Sequence, residues 1–231
     1  MYDVSNGDGC VVDGVGRVSS DEGAASDGVS YGHDETRIAF DFSKRVFDVV
    51  TSIAALPIFF GLCLALLVLN PVWNKGSLFF TQPRVGKSGR VFTIFKFRTM
   101  ETSLRVRKAD EAHEVKRVTP LGFLMRRTRI DEVPQFLNVL MGHMSVVGPR
   151  PDMIEHADEF SREIPIYRER TRVLPGITGY AQTIQGYTDT IEMAREKARL
   201  DAFYVRNRNW RLEFLVIAKT FRVILTGYGA R

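Results

Sequence analysis

Asp131 and Glu132 stand side by side in the run RRTRIDEVPQFLNVL, just after Arg126, Arg127 and Arg129, and Arg150 follows downstream between Pro149 and Pro151. An acidic pair among cations is the pattern of phosphoryl chemistry. The cations neutralise phosphate oxygens while a carboxylate attacks phosphorus or holds a divalent metal. The two prolines restrict the backbone around Arg150 and suit its planar fork to phosphate recognition. Lys96 and Arg98 lie in RVFTIFKFR; on a strand they share one face, either as an anion site or as a solvated edge. The plainer reading of the acidic pair is also structural. It precedes Val133-Pro134, proline favours a helix's first turn, and carboxylates there are stabilised by the helix dipole.

These residues need elements to position them. LFFTQPRV, a GKSG turn and RVFTIFKFR predict a β-hairpin over residues 78–98. Residues 101–117 are almost all charged or small, as in an exposed helix or a mobile loop. Pro175-Gly176-Ile177-Thr178-Gly179 reads as a tight turn. A helix from about Thr190 to Asn207 carries Arg195, Lys197, Arg199, Asp201, Tyr204 and Arg206, a solvated face or a substrate rim. Arg211–Leu225 is apolar but holds Lys219 and Arg222. That fits an interfacial helix or an amphipathic helix packed on the core, and not a spanning one.

Upstream, Val49–Leu69 reads VVTSIAALPIFFGLCLALLVL, without a charge. As a straight helix it would measure ~31 Å, the thickness of a bilayer's hydrocarbon core. Basic residues flank it on both sides (Lys44 and Arg45 before; Lys75, Arg84, Lys87 and Arg90 after), so charge gives no inside–outside asymmetry. Pro57 lies in its middle and removes a backbone hydrogen bond. A helix bent there either enters and leaves on one face or crosses with a kink.

Composition divides the 231 residues. Residues 1–40 hold eight acidic and two basic residues and no leucine, the signature of a disordered acidic tail. The rest carries 30 basic and 19 acidic residues, a surplus of +11 that suits anionic partners. With lipid-seeking segments flanked by the basic residues, those partners are not expected to be nucleic acid. Cys10 and Cys63 and four scattered histidines make neither a disulfide framework nor a zinc site, and no secretory signal is evident. The division expected is a tail over 1–40, a membrane helix segment over 41–74, and a cytosolic catalytic domain over 75–231 ending in an interfacial helix.

Lys44-Arg45-Val46-Phe47-Asp48, the proline-containing apolar run, FKFRTM at 95–100, IDEVPQFLNVL at 130–140, MSVVGPRP at 144–151 and LPGITGYAQ at 174–182 occur in this order. Together they resemble the bacterial sugar transferases, monotopic phosphoglycosyl transferases that load a hexose-1-phosphate onto undecaprenyl phosphate. The resemblance spans roughly residues 42–231. It implies an α+β, predominantly helical fold with a short β-hairpin, a re-entrant membrane helix kinked at Pro57, and a small catalytic domain at the cytoplasmic face of the inner membrane. It further implies a ping-pong reaction in which Asp131 takes the phosphosugar from a UDP-sugar and expels UMP, with Glu132 as the dyad partner. Mg²⁺ at Asp131 and phosphate binding by Arg150, with Lys96, Arg98 and Arg126 in support, belong to the same expectation, as does room for a homodimer. Three positions depart from the family's usual residues. Leu56 precedes Pro57 and Arg129 lies two before Asp131, where serine is common; His143 precedes Met144-Ser145, where an acidic residue is common. The residues also admit a membrane glycosyltransferase releasing UDP, or a non-catalytic protein whose basic region holds anionic lipid.

Overall fold

The computed structural model describes residues 32–101, 117–185 and 190–226. The tail's residues 1–31 and nearly all of the charged 101–117 segment lie outside these. The architecture is α+β and mostly helical. Helix α1 (Gly32–Trp73) leads into strands β1 (Phe79–Val85) and β2 (Val91–Phe97), then α2 (Pro120–Arg127), α3 (Gln135–Leu140), β3 (Ser145–Val147) and α4 (Ile154–Glu163). After a 3-10 stretch at Pro165–Arg172 come β4 (Gly176–Thr178), α5 (Tyr180–Ile184), α6 (Ile191–Asn207) and α7 (Trp210–Thr226).

The long apolar run makes α1, whose stretch Glu35–Trp73 is long and apolar enough to cross a membrane. One expectation changes here. The helix starts at Gly32, inside the stretch read as tail, because a helix once nucleated by its apolar part extends cheaply. Its first turns also find partners: Asp41 pairs with Arg208 at 2.7 Å and Phe40 meets Trp210 edge-on. The helix runs through both Pro57 and Pro71, each of which removes one backbone hydrogen bond.

Lys44, Arg45 and Asp48 fasten α1 to the domain. Lys44 Nζ donates to Glu213 Oε2 of α7 at 2.7 Å. Arg45 donates to the carbonyls of Val139 and Leu140 at the end of α3, at 2.7 and 3.2 Å. Asp48 Oδ1 accepts from Val146 N of β3 at 3.0 Å. Farther along, Phe59 and Leu66 pack with Phe97, Leu121 and Met125. At the far end Asn74 Nδ2 donates to Arg98 O at 2.7 Å, and Thr119 Oγ1 donates to Asn74 Oδ1 at 3.0 Å. The domain therefore grips α1 on both sides of its apolar run, whose other faces expose Ile53, Ile58, Phe60, Leu64, Leu67 and Val68.

The hairpin forms as expected, β1 antiparallel to β2 with Arg84 opposite Phe92 and Phe80 opposite Lys96. The PGITG segment is not a free turn: β4 pairs parallel with β3, Ser145 against Gly176 and Val147 against Thr178. Gly176 permits it, since a Cβ there would fall on the Gly148 backbone. Helix α6 starts where Thr190 Oγ1 accepts from Met193 N at 3.2 Å, a side-chain N-cap. Helix α7 packs one face on the core and leaves another exposed. Leu212, Glu213 and Val216 are buried, while Phe214, Leu215 and Phe221 are exposed.

Candidate active site

The dyad sits on a single 3-10 turn, Ile130–Glu132, between α2 and α3. Arg129 caps it in the left-handed region, at φ 58°, a conformation that non-glycine residues adopt at a cost. The turn closes with Glu132 N donating to Arg129 O and Val133 N to Ile130 O, both at 3.1 Å. Both carboxylates are thereby turned inward, Asp131 8% exposed and Glu132 7%.

Their environments differ. Glu132 Oε1 accepts from Lys96 Nζ at 2.8 Å and from Arg150 Nη2 at 2.9 Å. Burial alone would raise the Glu132 carboxyl, but Arg150 and Lys96 outweigh it and hold the group below its ordinary value. Asp131 has no such contact, and its Oδ1 is buried without a hydrogen-bond partner among the described residues. Burial first and the charge on Glu132 second push the Asp131 carboxyl up to about 6, against the pull of Lys96, Arg150 and Arg129. Two adjacent carboxylates with opposite shifts divide into a fixed anion and a group free to react. An unsolvated carboxylate oxygen is a competent nucleophile or a hard metal ligand.

The structure brings together four of the residues singled out in the sequence: Asp131, Glu132, Lys96 and Arg150. It sends two elsewhere. Arg98 follows β2 and is buried, donating to the carbonyls of Ser77 and Met100 at 2.7 and 3.0 Å and also to that of Asn74. It stitches the exit of α1 to the hairpin, with each of its three nitrogens bonded to a backbone carbonyl. Arg126 donates from Nε to Thr99 Oγ1 at 2.9 Å. From the basic run before the dyad, the cation acting on both carboxylates is Arg129.

Arg150 is held from below by a cluster that sequence reasoning missed. Arg170 donates to the Arg150 carbonyl and pairs with Asp152. Asp152 also accepts from Tyr167 Oη and from Lys197 Nζ, each at 2.7 Å. Arg170 meets Asp201 of α6 at 2.9 Å, an ion pair without hydrogen-bond alignment, since Asp201 Oδ2 counts as unbonded. Lys197 and Asp201 thus belong to the interior. Four residues apart on α6, they share one face, which was the one available signal.

Among the described residues no group of three His, Cys, Asp or Glu side chains is arranged around a metal. Glu132 is taken by two cations, so of the two carboxylates Asp131 is the one that could hold a metal ion. That suits Mg²⁺, which commonly keeps few protein ligands and completes its shell with water and phosphate.

Residues 39–227 match the bacterial sugar transferase family. The UDP-N-acetylgalactosamine-undecaprenyl-phosphate N-acetylgalactosaminephosphotransferase of Aeromonas hydrophila is 44% identical over 193 residues, 83% of this chain and 46% of its own length. The UDP-glucose:undecaprenyl-phosphate glucose-1-phosphate transferase of Caulobacter vibrioides is 37% identical, over 82% of this chain and 72% of its own. The exopolysaccharide production protein PSS of Rhizobium leguminosarum bv. phaseoli is 37% identical, over 77% of this chain and 92% of its own. The chain thus spans less than half of the Aeromonas relative and most of the other two. With the match covering α1 from residue 39 onward and every residue of the dyad site, the chain belongs to the bacterial sugar transferase family.

Proposed function

We propose that the chain transfers a hexose-1-phosphate from a UDP-sugar to undecaprenyl phosphate, through a phosphosugar held on Asp131. The observation that carries this reading is the unpartnered Oδ1 of buried Asp131 beside a Glu132 already neutralised by Lys96 and Arg150. In the first step a carboxylate oxygen of Asp131 bonds to the β-phosphorus. The bond from that phosphorus to the bridging oxygen breaks, and UMP leaves with the electron pair. In the second step a phosphate oxygen of undecaprenyl phosphate bonds to the same phosphorus and the Asp131–phosphorus link breaks, restoring the carboxylate. Arg150 and Lys96 face the charge that gathers on the phosphoryl oxygens. Mg²⁺ held by Asp131 would supply further neutralisation of phosphate charge.

Membranes containing the full chain, given a panel of UDP-sugars and undecaprenyl phosphate, should release UMP and form undecaprenyl-diphospho-sugar. Release of UDP would overturn the reading in favour of a glycosyltransferase. Silence with every sugar would leave a lipid-binding protein.

The same reading places the domain on the cytoplasmic face of the inner membrane with α1 entering and leaving on that side. Support comes from the grip on α1 at Lys44, Arg45 and Asp48 and again at Asn74. A crossing helix would carry those two regions to opposite faces of a core ~30 Å thick. Single cysteines at Phe40 and Gly76, in a chain lacking Cys10 and Cys63, should both react only with reagents that reach the cytoplasm. Periplasmic labelling at either position would show a true span.

A further inference from the structure

Arg84 lies on β1 two residues from Gln82, hence on the same face of the strand. Its Nη2 donates to Gln82 Oε1 at 2.7 Å, and its Nη1 reaches the Pro151 carbonyl at 3.3 Å. Gln82 is itself steadied by its Nε2 against Met153 Sδ at 2.8 Å. The guanidinium therefore lies along the loop that carries Arg150. Arg84 is half-buried, and an arginine drawn out of water is ordinarily met by a carboxylate of its own. Arg84 pairs with none among the described residues, and its Nε is buried without an acceptor. Of the acids whose charge reaches it, Glu132 is engaged by Lys96 and Arg150 and Asp152 by Arg170, Lys197 and Tyr167, while Glu155 is exposed and forms no ion pair with it. Burial and the neighbouring charge of Arg150 push the Arg84 guanidinium down to about 10. Two guanidinium groups close together, one of them short of an acceptor, are built for an anion that both can touch.

We propose that Arg84 is a second phosphate-binding arginine, taking the nucleotide-side phosphate of a nucleoside diphosphate sugar while Arg150 and Lys96 face the phosphate beside the sugar. The assignment rests on the reaction proposed above and follows from position. Lys96 and Arg150 bond the dyad itself, whereas Arg84 sits one step away along Pro151. In a diphosphate the two phosphates share an oxygen, so adjacent cations match adjacent phosphates. When the bond to the β-phosphorus breaks, negative charge builds on the departing UMP, and Arg84 stabilises it. Its work is then confined to the first half-reaction, because UMP has left before the acceptor reacts.

Ping-pong kinetics separate the two halves, since kcat/KM for each substrate reports its own half-reaction. In the full chain in membranes, Arg84→Met should lower kcat/KM for the UDP-sugar by about 10²-fold. It should leave kcat/KM for undecaprenyl phosphate within about twofold, and Arg84→Lys should recover part of the loss. Calorimetry with UMP and with uridine supplies an arm that needs no turnover. The wild type should bind UMP more tightly than uridine, and Arg84→Met should lose that difference while keeping uridine. If both kcat/KM values fall together, or UMP and uridine weaken alike, Arg84 merely braces the Pro151 loop and the proposal is wrong. A wild type that binds UMP no better than uridine also overturns it. Failure of every UDP-sugar to release UMP, with UMP binding intact, would instead count against the reaction and leave the phosphate site standing.

Discussion

Asp131→Asn should abolish UMP release, product and any covalent adduct, while the folded protein becomes more stable. The amide cannot form an acyl phosphate, so the loss is complete and not a matter of degree. Wild-type enzyme given UDP-sugar and Mg²⁺ without acceptor should gain the mass of one hexose phosphate on the peptide holding Asp131. That adduct should be labile to hydroxylamine and missing from the asparagine variant. The stability gain has a definite sign. Burial and the charge of Glu132 raise the folded carboxyl to about 6, above its unfolded value, so folding favours the protonated form. This contribution is present below the unfolded pKa and is lost as pH rises through about 6. At pH 7 the ionised group therefore costs about 1–3 kcal/mol, which asparagine removes. Adduct formation needs the carboxylate and should accordingly rise with pH through about 6 and level off above it. Trapping that yields no adduct, with product formed only when both substrates are present together, would reduce Asp131 to a metal ligand in a direct transfer.

What the sequence made legible follows from which interactions are local. The hairpin was readable because period-two alternation and the GKSG turn are both short-range. The dyad and Arg150 stood out because charge and proline spacing are visible within a few residues. Strand parity expects Lys96 and Arg98 on one side, yet β2 ends at Phe97, and parity names a face and not what the face meets. Lys96 meets Glu132, and Arg98 meets the carbonyls at the exit of α1. The β3–β4 pairing joins two three-residue strands far apart in the chain, where no periodicity can accumulate. Arg84 read as one more flanking charge because its partners, Pro151 and Arg150, come from a distant loop.

The arrangement also explains why the Lys44-Arg45-Val46-Phe47-Asp48 segment belongs with the catalytic residues. Arg45 caps α3, the helix that follows the dyad, and Asp48 fixes β3, the strand that leads to Arg150. One turn of α1 thus touches both the helix that follows the dyad and the strand that leads to Arg150. The polar layer continues through Lys44 to Glu213, whose other oxygen accepts from Tyr204 Oη at 2.6 Å.

The largest stability effect is expected from Arg170→Met. Arg170 is buried between Asp152 and Asp201, with Lys197 the remaining cation of the cluster. Two cations and two carboxylates balance, and removing one cation leaves a buried uncompensated charge, at a cost of about 3–5 kcal/mol. The Arg150 carbonyl loses a donor in the same change, so whatever folded protein remains should form the Asp131 adduct slowly. Urea unfolding followed by tryptophan fluorescence reads the first effect, and adduct mass the second. A partner substitution identifies the cause. Asp201→Asn removes one of the two carboxylates that Arg170 faces and so restores the balance that Arg170→Met upsets. The double variant should therefore be more stable than Arg170→Met alone, a non-additivity expected of contacting charges. It should still form adduct slowly, because asparagine at 201 does not replace the hydrogen bond to Arg150. If the double variant is no more stable than the single one, lost packing around Arg170 is the source of the destabilisation. If it recovers adduct formation in full, the grip on the Arg150 carbonyl is not what sets Arg150 against Glu132.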